Sequence, residues 1–181
     1  GFDPATFNPE DLLTVIDGAT FDLLYDEMMR DRERNFVSKF DEYFPETGPF
    51  RRELYPKHMR FFKLGNYLTE RLFMAANRVG KTVCGAYECT AHATGRYPAW
   101  WEGKVFSHPT QGWAAGDTNE TTRDIIQKEL FGEVAFDGNR KTFDGSGMVP
   151  RQLIGPVTWK RGVADLADIV KIKHIDRTTG E

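Results

Sequence analysis

Ala75-Ala76-Asn77-Arg78-Val79-Gly80-Lys81-Thr82 decides how this chain is read. The stretch follows the phosphate-binding pattern G-x-x-x-x-G-K-[ST], with Ala75 where the first glycine stands. The run entering it, Leu72-Phe73-Met74-Ala75-Ala76, is short and apolar and predicts a buried parallel strand. The run leaving it, Lys81 to Thr94, sets Val83, Ala86, Tyr87, Thr90 and Ala91 on one helical stripe. Gly95 follows in the place of a helix-ending glycine.

Strand, loop and helix in that order suit phosphate chemistry. Backbone N–H groups of Ala75 to Thr82 would converge on phosphate oxygens. The N-terminus of the helix adds partial positive charge. Lys81 would neutralise the β- and γ-phosphates, and the Thr82 hydroxyl would bind Mg²⁺. Gly80 allows a backbone approach that a Cβ would block. Ala75 is small but disfavours positive φ, a modest penalty. Arg78 has two readings: a guanidinium reaching the γ-phosphate, or a loop cation facing solvent or a neighbouring subunit. A surface turn before a helix is the plain alternative for the whole motif.

The bulk composition bounds the rest. With 181 residues, 40% of them hydrophobic and 28% charged, one soluble domain with an appendage is expected. A net charge of −3 argues against nucleic-acid binding over the whole surface and leaves room for a local basic groove. No apolar run is long enough to span a bilayer, and no charged-then-apolar leader opens the chain. Cys84 and Cys89 fall on one predicted helix, too awkwardly placed to bridge, which fits a reduced, cytoplasmic setting. His58, His92, His108 and His174 have no metal-ligand spacing.

Residues 10 to 43 read as helical, and Pro45, Gly48 and Pro49 mark a linker. Arg51 to Tyr67 predicts a short helix with its approach loop. Val105-Phe106 and Trp113-Ala114-Ala115 are expected strand pieces. Thr118 or Asn119 can cap a helix running to about Leu130. Residues 132 to 150, rich in Gly and Asp, are expected to form an exposed excursion. Ile169 to Ile175 alternates as a half-exposed strand, with Lys171 and Lys173 guarding an edge. Asp176 to Gly180 reads as a hairpin turn.

At this point the chain resembles the large terminase subunit of tailed bacteriophages, an ATP-driven motor that packages DNA. The resemblance rests on Arg71 to Thr82, on Thr94-Gly95-Arg96-Tyr97-Pro98-Ala99-Trp100-Trp101-Glu102-Gly103-Lys104, on Glu120 to Lys128, and on Val157 to Gly162. The Gly-Arg-Tyr-Pro-x-Trp-Trp-x-Gly block is far more specific than the loop alone. The resemblance implies an α/β fold: a P-loop NTPase core of the additional-strand class, with a mainly parallel, incomplete sheet and a preceding N-terminal helical segment. The expected boundaries are a helical segment at 1–54 and an ATPase domain at 55–181. Lys81 and Arg78 would be catalytic, Ala75, Ala76, Asn77, Arg78, Val79, Gly80, Lys81 and Thr82 would bind nucleotide, and Thr82 would hold Mg²⁺. Relatives carry an adenine-contacting motif upstream, for which Tyr55-Pro56-Lys57-His58 is the nearest match, without a glutamine. The Trp100-Trp101 pair reads as aromatic packing over the sheet end.

Hydrolysis in this class needs an apolar strand ending in Asp-Glu. Gln111 to Asp117 approaches it but lacks the Glu, and Lys171 and Lys173 interrupt Ile169 to Asp176. The chain is therefore expected to hold the ATP-binding part and to stop before that strand and before a nuclease domain. Turnover by this chain alone is left open. In the intact protein, hydrolysis would drive double-stranded DNA into the capsid at the procapsid portal in the host cytoplasm. The implied partners are DNA, the portal, a small terminase subunit and further copies in a ring, with no membrane. The alternatives are a nucleotide-sensing assembly module without turnover and an unrelated small P-loop NTPase or kinase.

Overall fold

Apolar and small residues at helical spacing build the helix Lys81–Thr94, whose Tyr87 lies at the centre of the aromatic core. The computed structural model describes Leu23 and residues 38–175. The chain divides into two units, Gly1–Phe36 and Val37–Glu181, and the helices and strands that follow belong to the second. Most of the helix expected at 10–43 and the hairpin turn expected at 176–180 lie outside the described residues.

Helix α1 is Lys39–Glu42, α2 is Pro56–Leu64 and α3 is Lys81–Thr94. A longer helix, α4, joins Asn119–Thr121 to Lys128–Phe131 through a π-helical stretch, Thr122–Gln127. Strands β1 (Val134–Asp137) and β2 (Arg140–Phe143) form one antiparallel sheet. Strands β3 (Ile154–Trp159) and β4 (Ala167–Ile172) form the other.

The expectation for α3 holds in its bounds and in its buried face. Ala86, Tyr87, Thr90 and Ala91 are buried, and Gly95 ends the helix at φ 73 with its N–H on the Ala91 carbonyl. The core is a pile of rings around Tyr87. Phe40 stacks on it at 4.2 Å, and Phe44 meets it edge-on at 5.0 Å. Phe62 of α2 and Trp100 lie at 5.8 and 6.0 Å. Trp101 lies 4.9 Å from Phe62. The Trp100-Trp101 pair is thus packing, as expected, but on helices α2 and α3 rather than over the end of a sheet. Residues 38–44 join the same core and lock α1 to it through an Arg96–Asp41 ion pair at 2.8 Å.

Helix α4 starts where expected: the Thr118 hydroxyl accepts the Thr121 N–H at 3.1 Å. Residues 132–150 do not form an exposed excursion. Their first half is the β1–β2 hairpin, and Phe143, Met148 and Val149 are fully buried. The glycines read as loop signals instead permit close packing. A Cβ at Gly147 would stand 2.5 Å from the Leu130 and Phe131 backbone, so no other residue fits there. The strand expected at Ile169–Ile175 is β4, and its partner β3 had no sequence signal because Gly155 and Pro156 obscure its alternation.

The expected parallel sheet is not formed among the described residues, where both sheets are antiparallel pairs. Leu72–Ala76 is extended but unpaired. Val105–Phe106 and Trp113–Ala115 are likewise irregular, and the Trp113 side chain is wholly exposed. A strand is defined by its neighbour, and no described segment lies beside these runs to supply the ladder.

Because Phe62 is 1% exposed and meets five other rings, Phe62→Ala should cost about 3–5 kcal/mol. Denaturant unfolding with an unchanged m-value checks this; a loss below about 1 kcal/mol would mean that the ring cluster is not the core.

Candidate phosphate-binding site

The loop at 75–82 is shaped by two residues with positive φ, Arg78 at 62° and Gly80 at 78°. Ala75 is not one of them, so its side chain meets none of the strain expected from replacing a glycine there. Gly80 caps α3 from the left-handed region, and its carbonyl accepts the Cys84 N–H at 2.9 Å. The first N–H groups of α3 therefore face the loop, as the first turn of any helix leaves them without intrahelical partners.

Lys81 turns back into the loop. Its Nζ donates to the Ala75 carbonyl at 2.8 Å and to the Ala76 carbonyl at 2.6 Å. No carboxylate pairs with it among the described residues. Thr82 is exposed beside it. Arg78 is exposed and makes no hydrogen bond or ion pair among the described residues. All the residues singled out in the sequence are thus brought together in one turn at the start of α3.

Two contacts that sequence reasoning did not foresee hold this turn from behind. Arg71, just before the loop, makes a two-pronged ion pair with Glu88 of α3 at 3.0 and 3.1 Å. The same guanidinium donates to the Phe61 carbonyl of α2 at 2.7 Å and lies 4.5 Å over the Phe61 ring. Glu88 gave no signal in the sequence because its partner Arg71 is 17 positions away. Second, His58 of α2 is buried and its Nε2 lies 3.1 Å from the Val79 carbonyl oxygen. Burial lowers the His58 pKa, against the opposing pull of the Val79 and Gly80 backbone. The Tyr55 to His58 stretch does stand upstream of the loop and reaches it, through this histidine.

Arg71 and Phe73 face inward and Leu72 and Met74 face outward, the alternation of an extended chain. Leu72 and Met74 are 80% and 81% exposed. The run was expected to be buried on both sides, and only its α2–α3 side is covered.

Elsewhere, an open groove lies at the N-terminus of α4, lined by residues such as Asp117, Glu120, Lys160 and Asp168; no residue of 75–82 borders it. Among the described residues no group of His, Cys, Asp and Glu is placed to hold a metal ion. No described helix is long and apolar enough to cross a membrane. Cys84 and Cys89 are free thiols, and burial pushes the Cys84 thiol up to about 12, so it carries no nucleophilic chemistry.

Comparison with known proteins decides the family. The model of the family "Terminase large subunit, T4likevirus-type, N-terminal" matches residues 72–168, more than half of the chain. The chain belongs to this terminase large-subunit family. It is also similar to the "Terminase, large subunit" of Salmonella phage P22, with 34% identity over 134 residues. That match takes in 66% of this chain and 26% of the phage P22 protein, so the chain spans about a quarter of its terminase relative. No solved structure matches. The terminase match begins at Leu72, and so takes in residues 75–82 and α3 but not His58 or Arg71.

Two outcomes test this geometry. Arg71→Leu removes the two-pronged partner of the buried Glu88 carboxylate, leaving it His92 Nε2 at 3.6 Å, and should cost about 3 kcal/mol in denaturant unfolding; an effect near zero would make the pair ornamental. His58 must gain a proton against burial, so its folded pKa lies below the unfolded 6.5. Its contribution is complete above pH 6.5 and is lost as the pH falls from there toward the lowered folded value. Comparing stability at pH 7.5 and 5.5, wild type should lose more than His58→Phe; equal losses would refute the assignment.

Proposed function

We propose that this chain is the nucleotide-binding part of a viral DNA-packaging ATPase, with residues 75–82 binding the phosphates of ATP. One observation carries the reading. The Lys81 ammonium sits on two loop carbonyls with no carboxylate partner among the described residues, at the start of a 14-residue helix. Carbonyl oxygens are weak partners for a cation compared with phosphate oxygens, so a bound nucleotide has a charge waiting for it. The residues fit that ligand: a cation, unpartnered helix N–H groups and an exposed hydroxyl at Thr82 converge on one turn. Mg²⁺ would be held by the Thr82 hydroxyl together with phosphate oxygens. Arg78, exposed and unpaired among the described residues, would add its charge on the γ-phosphate side.

In the whole protein, the bound ATP would supply the energy that moves double-stranded DNA into the capsid. DNA contacts made mainly to phosphate would suit a motor that must be indifferent to sequence. A P-loop fold of the additional-strand class, a portal, a small terminase subunit and a ring of copies in the host cytoplasm belong to the same reading. They are supported by membership of the terminase family.

Fluorescent mant-ATP titrated into the chain with Mg²⁺ should bind. Lys81→Ala should weaken it by about 10- to 100-fold, the worth of a charge-assisted contact. Equal binding by wild type and Lys81→Ala would sink the reading. Single-turnover hydrolysis on the same samples separates an ATPase from a nucleotide sensor.

A further inference from the structure

His58 is the one side chain outside the loop that bonds to the loop backbone among the described residues. It stands on the buried face of α2 beside Phe62, four residues on, while Lys57, Arg60 and Lys63 face solvent. The rings of Phe73 and Tyr55 close on it edge-on at 5.1 and 5.3 Å. An apolar residue would fill such a place, as Phe62 does. The imidazole instead turns a polar edge to the Val79–Gly80 backbone, and its Nε2 lies 3.1 Å from the Val79 carbonyl oxygen.

Val79 is the residue between the two left-handed positions, Arg78 and Gly80. A non-glycine residue at positive φ costs about 1–2 kcal/mol, so the turn at Arg78 persists only if something holds it. The acceptor at Val79 is a carbonyl, so the bond requires the ring proton on Nε2. In a planar trans peptide the carbonyl and the next N–H point opposite ways. A hand on the Val79 carbonyl therefore fixes the direction of the Gly80 N–H. That N–H has no partner among the described residues. Room is also set here: a Cβ at Gly80 would lie 3.4 Å from the His58 Nε2.

We propose that His58 is a positioning residue for the phosphate loop: its Nε2–H holds the Val79 carbonyl against α2 and so turns the Gly80 N–H toward bound phosphate. The proposal deepens the reading of residues 75–82 as a nucleotide-binding loop and rests on it. A packing role alone would be met by any ring of similar size. A positioning role needs a donor at that point.

The test is mant-ATP affinity with Mg²⁺ for the 181-residue chain, its Lys81→Ala variant, His58→Phe and His58→Gln. His58→Phe keeps the ring and removes the donor; His58→Gln restores an N–H donor of similar reach. The expected result is about tenfold weaker binding for His58→Phe, the worth of one hydrogen bond. His58→Gln should stay within about twofold of wild type, with both variants melting alike. Wild-type affinity in His58→Phe, with binding lost in Lys81→Ala, overturns the positioning role and leaves the loop reading intact. So does a Gln variant as weak as the Phe variant. No binding by wild type, or none lost in Lys81→Ala, brings down both. If His58→Phe does not fold, ¹⁵N shifts of the wild-type ring decide. The proton must sit on Nε2 at pH 7.5 and its resonance must move when Mg²⁺ and nucleotide are added; a proton on Nδ1, or an indifferent resonance, overturns the proposal.

Discussion

Arg71 enters the fold between two helices and is held by both, and the loop at 75–82 begins four residues later. Its guanidinium spends two donors on the Glu88 carboxylate of α3 and one on the Phe61 carbonyl of α2. Buried ion pairs are poor sources of net stability, because desolvation offsets most of the attraction. Their worth is directional. A planar fork matched to a planar carboxylate fixes where the approach to the loop runs, to within the tolerance of two short bonds. With Arg71 fixed, Phe73 falls onto Phe61 at 5.0 Å and against His58, and Leu72 and Met74 must face the other way. The ring cluster around Tyr87 supplies the burial; the Arg71–Glu88 pair says where the loop starts.

The parts of this arrangement written in local signals were legible. Helix α3 has an apolar stripe, a glycine at each end and a motif whose chemistry demands a helix N-terminus, and its bounds were readable to the residue. The Thr118 cap and the Trp pair were readable for the same reason: each needs only its immediate neighbours. What depended on distant partners was not. Leu72–Ala76 reads as a strand because its composition is that of one, yet pairing is a property of two segments. Residues 132–150 read as an excursion because glycine signals loops, whereas Gly147 serves a backbone contact with α4 that no window of sequence contains.

The site divides along the same line. The residues that would touch phosphate, Lys81, Thr82 and Arg78, lie within a few positions of one another, and a spacing rule finds them. The residues that shape the loop come from elsewhere in the chain: His58 is 21 positions from Val79, and Arg71 is 17 from Glu88. A lone buried histidine is usually an ordinary core residue, and nothing in its neighbours marks this one out. Only its distance to Val79 does.

The extended run ahead of the loop carries a further consequence. Its inner face is fixed by an ion pair and an aromatic stack, while its outer face shows two large apolar side chains to solvent. Interior contacts that rigid do not require the outer face to be covered, so the loop can keep its shape in this chain without a completed sheet. Exposed Leu and Met on a straight, unpaired backbone are nonetheless the features that invite edge-to-edge association. Order at the loop and stickiness beside it therefore come from the same four residues, Arg71 to Met74. The side held by α2 and α3 fixes the loop, and the bare side governs how the chain behaves at high concentration.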